Sequence, residues 1–145
     1  MKIFIAADKD GFSLKNQIVS FVNQAFVSDE MIDLNPKPAI DFIEGTLNLT
    51  EHLQTNPDAL GIMIDGYGVG SFMVACKVKG MVVAEVSDER SAYMTREHNN
   101  ARMITLGSQI VGSKLAENIV KEFLSAKYAA GRHQIRVDML NKMAW

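Results

Sequence analysis

Leu60-Gly61-Ile62-Met63-Ile64-Asp65-Gly66-Tyr67-Gly68-Val69-Gly70-Ser71 joins an apolar run, a glycine loop and the start of a second apolar stretch within twelve residues. Leu60 to Ile64 has strand length and little polar alternation, the pattern of a strand covered on both faces. Glycines at alternate positions permit positive φ and close backbone approach. A helix opening near Phe72 would turn unpaired N–H donors and its positive dipole end toward the loop. Two readings stay open: an anion-holding loop, or a tight strand-to-helix turn with Ser71 as N-cap. The spacing is not G-x-G-x-x-G, the loop follows the third apolar run, and no Walker Lys-Ser/Thr pair is present, so NAD and ATP are poor candidates.

The same strand-then-helix rhythm extends to both sides. Lys2 to Ala7, Met31 to Leu34, Met81 to Val86 and Arg102 to Leu106 are further apolar runs, giving five candidate strands. Between the first two, Leu14, Ile18, Val19, Val22 and Phe26 form a stripe with a period of about 3.6, interrupted by Lys15, Asn16 and Asn23. Looser stripes run from Ile40 through Ile43, Leu47 and Leu49 to Leu53, from Phe72 to Val78, and through Leu115, Ile119, Val120 and Phe123. Pro36 and Pro38 mark a loop and the approach to a helix, and Pro57 another connection. Alternating strands and helices define an α/β protein with a parallel sheet. No repeat, low-complexity tract or Gly/Ser linker divides residues 1–145.

Composition narrows the function classes. The chain has 145 residues, 15 Lys plus Arg against 17 Asp plus Glu, and 48% hydrophobic residues. That length buries enough surface for a stable core without disulfides or structural metal. Cys76 is a single thiol and reads as a small buried hydrophobe in a reducing compartment. The nine methionines read as core fillers and His52 as a surface residue. A net charge of -2 argues against nucleic acid and anionic lipid as partners. The N-terminal run is too short for a signal sequence, and no segment approaches the ~18 apolar residues of a membrane span. By elimination the chain is expected in the cytoplasm.

In an open α/β sheet, chemistry gathers in the segments after the strands. Ser87-Asp88-Glu89-Arg90 reads as a helix start capped by Ser87, with two carboxylates in the first turn. His98-Asn99-Asn100 falls at that helix's end. These residues serve as polar terminators there, or His98 moves protons near neutrality while Asn99 offers a donor and an acceptor. After a helix expected to end near Tyr128 comes Gly131-Arg132-His133-Gln134-Ile135-Arg136. Arg132 and Arg136 share one face if helical and can grip a phosphate; the alternative is a solvated basic turn opening a last helix. Ile135, Met139 and Met143 form an apolar seam on that helix, suited to subunit packing.

Ala7-Asp8 with Gly11 after the first strand, the glycine loop after the third, Ser-Asp-Glu with His-Asn-Asn-Ala-Arg, and Gly-Arg-His-Gln-Ile-Arg-Val-Asp near the end together resemble the ribose-5-phosphate isomerase B family, which includes the galactose-6-phosphate isomerases. The resemblance covers essentially the whole chain. It implies a Rossmann-type three-layer fold with a five-stranded parallel sheet, active sites at subunit interfaces, and aldose–ketose isomerisation of sugar phosphates without metal or nucleotide.

The resemblance also assigns roles. His98 matches the residue that opens the sugar ring, Asn99 one that binds a substrate oxygen, and Arg132 and Arg136 the phosphate ligands. The loop Asp65, Gly66, Tyr67, Gly68, Gly70 departs from the pattern: Asp65 stands where catalytic members usually carry the proton-abstracting Cys, and Tyr67 where they carry Thr or Ser. Lys9 stands where the family usually has His.

Such a half-complete set is similar to A-type chains of heteromeric galactose-6-phosphate isomerases, whose B-type partner retains the Cys and Thr. The implied reaction interconverts galactose 6-phosphate and tagatose 6-phosphate through an enediolate, serving lactose or galactose breakdown. Two alternatives are a self-sufficient homomeric isomerase using Asp65 as base, and a non-catalytic sugar-phosphate binding or structural subunit.

Overall fold

The computed structural model describes residues 1–143, so the last two residues of the expected 1–145 unit lie outside the described residues. Five strands, all parallel, form one sheet in the order β2-β1-β3-β5-β4. They are β1 (Lys2–Ala7), β2 (Glu30–Asp33), β3 (Leu60–Asp65), β4 (Val83–Glu85) and β5 (Met103–Gly107). The helices are α1 (Phe12–Ala25), α2 (Phe42–Thr55), α3 (Val69–Cys76), α4 (Glu89–Glu97), α5 (Ser113–Ser125) and α6 (Gln134–Lys142), with a 3-10 turn at Gly131–His133. Among the described residues no helix is long and apolar enough to cross a membrane.

Period-two alternation along the central strands divides the core into two layers. Ile3, Ile5, Ile62, Ile64, Ile104 and Leu106 face α1, α4 and α5, meeting Leu14, Ile18, Ala92, Ile119 and Phe123. Phe4, Ala6, Met63 and Met103 point the other way, against Leu49 and Leu53 of α2 and Ala75 of α3. Both sheet faces are thus covered by helices, which is why these strands read as continuous apolar runs. Burial at roughly 25 cal/mol per Å² of apolar area makes the two layers the main source of stability.

Several expectations need correction. β4 spans only Val83–Glu85, shorter than the apolar run, because it is an edge strand paired on one side by β5. Helix α3 begins at Val69, before Phe72, and α5 ends at Ser125, before Tyr128. Cys76 is exposed, because it falls at the open end of the short helix α3. Met63, Met81 and Met103 are in the core, but Met1, Met73, Met139 and Met143 are exposed. His52 is half-buried, its ring 5.2 Å from that of Phe4.

Lys15, which interrupts the stripe of α1, is fully buried. Its Nζ donates to Asp33 Oδ2 and to the Asn35 carbonyl, both at 2.6 Å, and lies 4.4 Å from the Phe12 ring centroid. Asn35 in turn accepts from the Ala7 amide at 3.0 Å, so the ammonium fastens the β2 exit to the end of β1.

Candidate active site

The order in which strands are added reverses between β1 and β3, so the crevice at their carboxyl ends is the topological switch point. The loop after β1 closes on Asp8, whose Oδ1 accepts the Asp10 and Gly11 amides at 3.0 Å each. Gly11 is obligatory: a Cβ there would stand 2.0 Å from the Ile64 carbonyl oxygen. Burial raises the Asp8 carboxyl above the usual range; the Gly11 and Asp10 amides oppose that shift, and the charges of Asp10 and Asp65 add to it.

The glycine loop is a turn organised by Asp65. Asp65 is buried at the end of β3; its Oδ1 accepts the Gly68 amide, and its Oδ2 accepts the Ser71 amide at 3.1 Å and the Ser71 hydroxyl at 2.5 Å. Gly68 has φ 77°, the left-handed region where glycine is favoured. Ser71 is therefore not the N-cap: Gly68 holds that position, and the Asp65 carboxylate takes up donors at the start of α3. A carboxylate is the stronger acceptor at a positive helix end, and it leaves those donors unavailable to an external anion.

Thr105 Oγ1 clamps the Gly68 carbonyl at 2.7 Å, and the Ser108 and Gln109 amides bond the Asp65 and Gly66 carbonyls at 2.8 and 2.9 Å. Gly70 lies against the Phe42 ring, where a Cβ would come within 2.9 Å. Tyr67 projects outward, 63% exposed. Lys9 is exposed and forms no ion pair among the described residues.

The basic cluster is elsewhere. Helix α4 starts with Asp88, not Ser87, as its N-cap: Asp88 Oδ1 accepts the Ser91 amide at 2.7 Å, which holds its carboxyl below the usual range. Ser87 instead donates to Glu85 at 2.9 Å. At the other end His98 is the C-cap, and Asn100 has φ 52°. The Asn100 amide reaches the Arg96 carbonyl at 3.1 Å, the closure of a helix end by a left-handed residue, and the Ala101 amide reaches the Thr95 carbonyl at 3.0 Å. Arg96 locks this turn by donating to Asn100 Oδ1 at 2.9 Å and to the Ala101 carbonyl at 2.8 Å. Sequence reading missed Arg96; its position four residues before Asn100 was the available signal.

The segment after α5 returns to this turn. The Ala129 amide donates to the Glu97 carbonyl at 3.0 Å, and the His133 ring stacks on His98, centroids 4.3 Å apart and planes 17° apart. Glu97 Oε1 lies 3.7 Å from His98 Nε2. Arg132 and Arg136 are both exposed beside His133, but they do not share a continuous α-helix: Arg132 is in the 3-10 turn and Arg136 in α6. Partial desolvation, then the charges of His98, Arg132 and Arg136, lower the His133 pKa below the ordinary histidine range, with Glu97 opposing.

Asn99 is exposed and lines a cleft of about 790 Å³ along the β4 edge, whose walls include Phe72, Met81, Leu140 and Met143. Ile135, Met139, Leu140 and Met143 remain exposed, while Val137 alone of α6 is buried.

These two constellations stand at opposite ends of the sheet. Asp65 pairs with Gly107 at the carboxyl end, whereas α4 runs back against the strands and delivers His98 just before Met103, at the amino end of β5. The length of β5 alone, at about 3.3 Å per residue, separates them by roughly 15 Å.

The family profile described as Ribose/Galactose Isomerase matches residues 3–140, a span that takes in the switch point and the basic, histidine-bearing turn. The chain belongs to that family. Among curated relatives, galactose-6-phosphate isomerase subunit LacA of Enterococcus faecalis is 57% identical over 144 residues, covering 99% of this chain and 100% of the relative. The subunit LacA of Streptococcus mutans is 58% identical over 143 residues, 99% of each. Among solved structures, ribose-5-phosphate isomerase B of Clostridium thermocellum superposes with a TM-score of 0.90 at 35% identity, covering 97% of this chain and 95% of that one.

Proposed function

We propose that this chain is the A-type subunit of a heteromeric galactose-6-phosphate isomerase, interconverting galactose 6-phosphate and tagatose 6-phosphate at a site shared with a B-type subunit in the cytoplasm. The observation that carries the reading is the separation of the two constellations: the His98, Asn99, Arg132 and Arg136 group lies about the length of β5 away from the glycine loop of its own chain. A second chain must supply the loop that completes it.

In this reading Arg132 and Arg136 hold the phosphate and Asn99 orients a sugar oxygen, so their contribution is positioning. His98 gives a proton to the ring oxygen as the bond from C1 to that oxygen breaks, and the imidazole recovers the proton of the C1 hydroxyl. The partner's Cys then takes the C2 proton, leaving a cis-enediolate. Return of that proton to C1, with proton exchange between the two oxygens, gives the ketose.

Asp65 is a poor substitute base, because its two oxygens already accept three hydrogen bonds from Gly68 and Ser71. The exposed apolar residues of α6 and the cleft along β4 suit a subunit interface.

The test is turnover of galactose 6-phosphate by the purified chain alone and after co-expression with a Cys-retaining B-type subunit. Activity only in the mixture, lost in His98→Ala with the complex intact, is expected. Full activity of the chain alone would overturn the shared site and restore Asp65 as base. An intact complex unaffected by His98→Ala would remove His98 from the chemistry.

A further inference from the structure

The stacking of His98 on His133 gives the site a property that neither ring has alone. With centroids 4.3 Å apart and planes 17° apart, a second proton on the pair would bring two positive charges into contact. Stacked rings are therefore costly to charge together, and the charges facing them decide whether a proton is held there.

Those charges come from both elements that meet here. Helix α4 contributes Glu97, with Oε1 3.7 Å from His98 Nε2. The segment carrying His133 contributes Arg132 and Arg136. Without a bound anion, two guanidinium charges oppose one carboxylate and the field disfavours protonation. Partial burial, and after it the charges of His98, Arg132 and Arg136, lower the proton affinity of His133. A dianion on the two arginines reverses the sum. By linkage, an anion that binds more tightly to the protonated pair raises the pair's proton affinity by the same factor.

We propose that the His98–His133 pair takes up a proton when an anionic group seats on Arg132 and Arg136, so that the phosphosugar charges the acid that acts on its own ring. The inference rests on the reading of Arg132 and Arg136 as a phosphate grip. It adds that the grip and the proton donor are one coupled device, with His133 as the positioning residue that couples them.

The test uses the full chain and follows imidazole resonances by NMR between about pH 5 and 8, with sulfate as a dianion of fixed charge against chloride at equal ionic strength. His52, on α2 across the sheet from α4, serves as internal reference. Sulfate should perturb the Arg132 and Arg136 signals and move the titration of the His98–His133 pair upward by about half a pH unit or more. Arg136→Gln should raise the titration without sulfate and blunt the sulfate response.

Sulfate perturbing the arginines while both histidines titrate unchanged would overturn the coupling and leave the anion site standing. No effect on the arginines would overturn the phosphate grip itself, and the inference with it. In His133→Phe, which keeps an aromatic ring against His98, the two-site titration should collapse to one; an unchanged pH profile of kcat/KM in the assembled enzyme would remove His133 from the device.

Discussion

Replacing Asp65 with Asn separates the two roles open to this residue, helix cap and catalytic base. In the native loop Oδ1 accepts from Gly68 and Oδ2 from both the amide and the hydroxyl of Ser71. Asn keeps one carbonyl oxygen for Gly68 and sets an NH2 group where Oδ2 stood. The Ser71 hydroxyl can rotate and accept from that NH2, but the buried Ser71 amide loses its acceptor. An orphaned buried amide costs about 1–3 kcal/mol. Loss of the negative charge at the start of α3 adds about 0.3–1 kcal/mol. The sum, about 2 kcal/mol, corresponds at this chain length to a fall in Tm of roughly 4–8 °C. Urea unfolding of the isolated chain measures the first quantity, and kcat of the assembled enzyme, normalised to folded complex, measures the second. Lower stability with unchanged kcat is expected. Unchanged stability would refute the capping role, and a collapse of kcat with the complex intact would refute the assignment of the base to the partner.

Gly11→Ala should prevent stable folding or cost more than about 3 kcal/mol in denaturant unfolding, because the new Cβ meets the fixed Ile64 carbonyl at 2.0 Å. Lys15→Met should cost about 3 kcal/mol, since it leaves Asp33 and the Asn35 carbonyl without their buried partner; a neutral result would show that packing of the stem outweighs the ion pair. Asp8→Asn should stabilise the chain at pH 7. The raised Asp8 pKa means that the folded form binds the proton more readily than the unfolded form, so native stability falls as pH rises through the folded value. The gain should vanish near pH 3, where both forms of the wild-type carboxyl are protonated, and an equal gain at pH 3 and 7 would contradict the electrostatic cause.

The β-strands were the most legible part of the chain. Lys2–Ala7 agrees at both ends and Leu60–Asp65 extends the expected run by one residue, because strands buried on both faces leave an unbroken apolar run in the sequence. At two places the residue pattern offers a serine as cap, Ser71 as one of two open readings and Ser87 outright, where the carboxylate of a nearby aspartate, Asp65 or Asp88, takes the amides. A carboxylate outcompetes a hydroxyl for amides at a positive helix end, and at β3 it does so from three residues before Gly68, which helix periodicity does not register. The burial of Lys15 was hidden because its partners, Asp33 and Asn35, arrive from another strand. The His98–His133 stack was equally invisible, as it joins residues brought together only when the segment after α5 docks on Glu97.

The position of Asp65 bears on why two kinds of chain would be needed. In a parallel sheet, a helix following a strand must return to the opposite end before the next strand begins, so a residue at the end of α4 and a residue at the end of β3 cannot meet within one copy of this fold. Two identical chains can in principle bring the His98 turn of one to the glycine loop of the other. That loop, however, presents a carboxylate already engaged by Gly68 and Ser71, with Asp8 and Asp10 beside it. A substrate phosphate is repelled by such a group of carboxylates, and the C2 proton finds no free base there. An Asp at this position thus strengthens the turn that starts α3 at the expense of chemistry in its own loop, and under the proposed reading the base must come from a chain whose loop carries a thiol. Substituting Asp65→Cys together with Tyr67→Thr is the direct consequence: the doubly substituted chain should gain isomerase activity without the B-type subunit while losing stability. Undiminished stability or continued dependence on the partner would show that the loop's departure from the family pattern is not what separates the two halves.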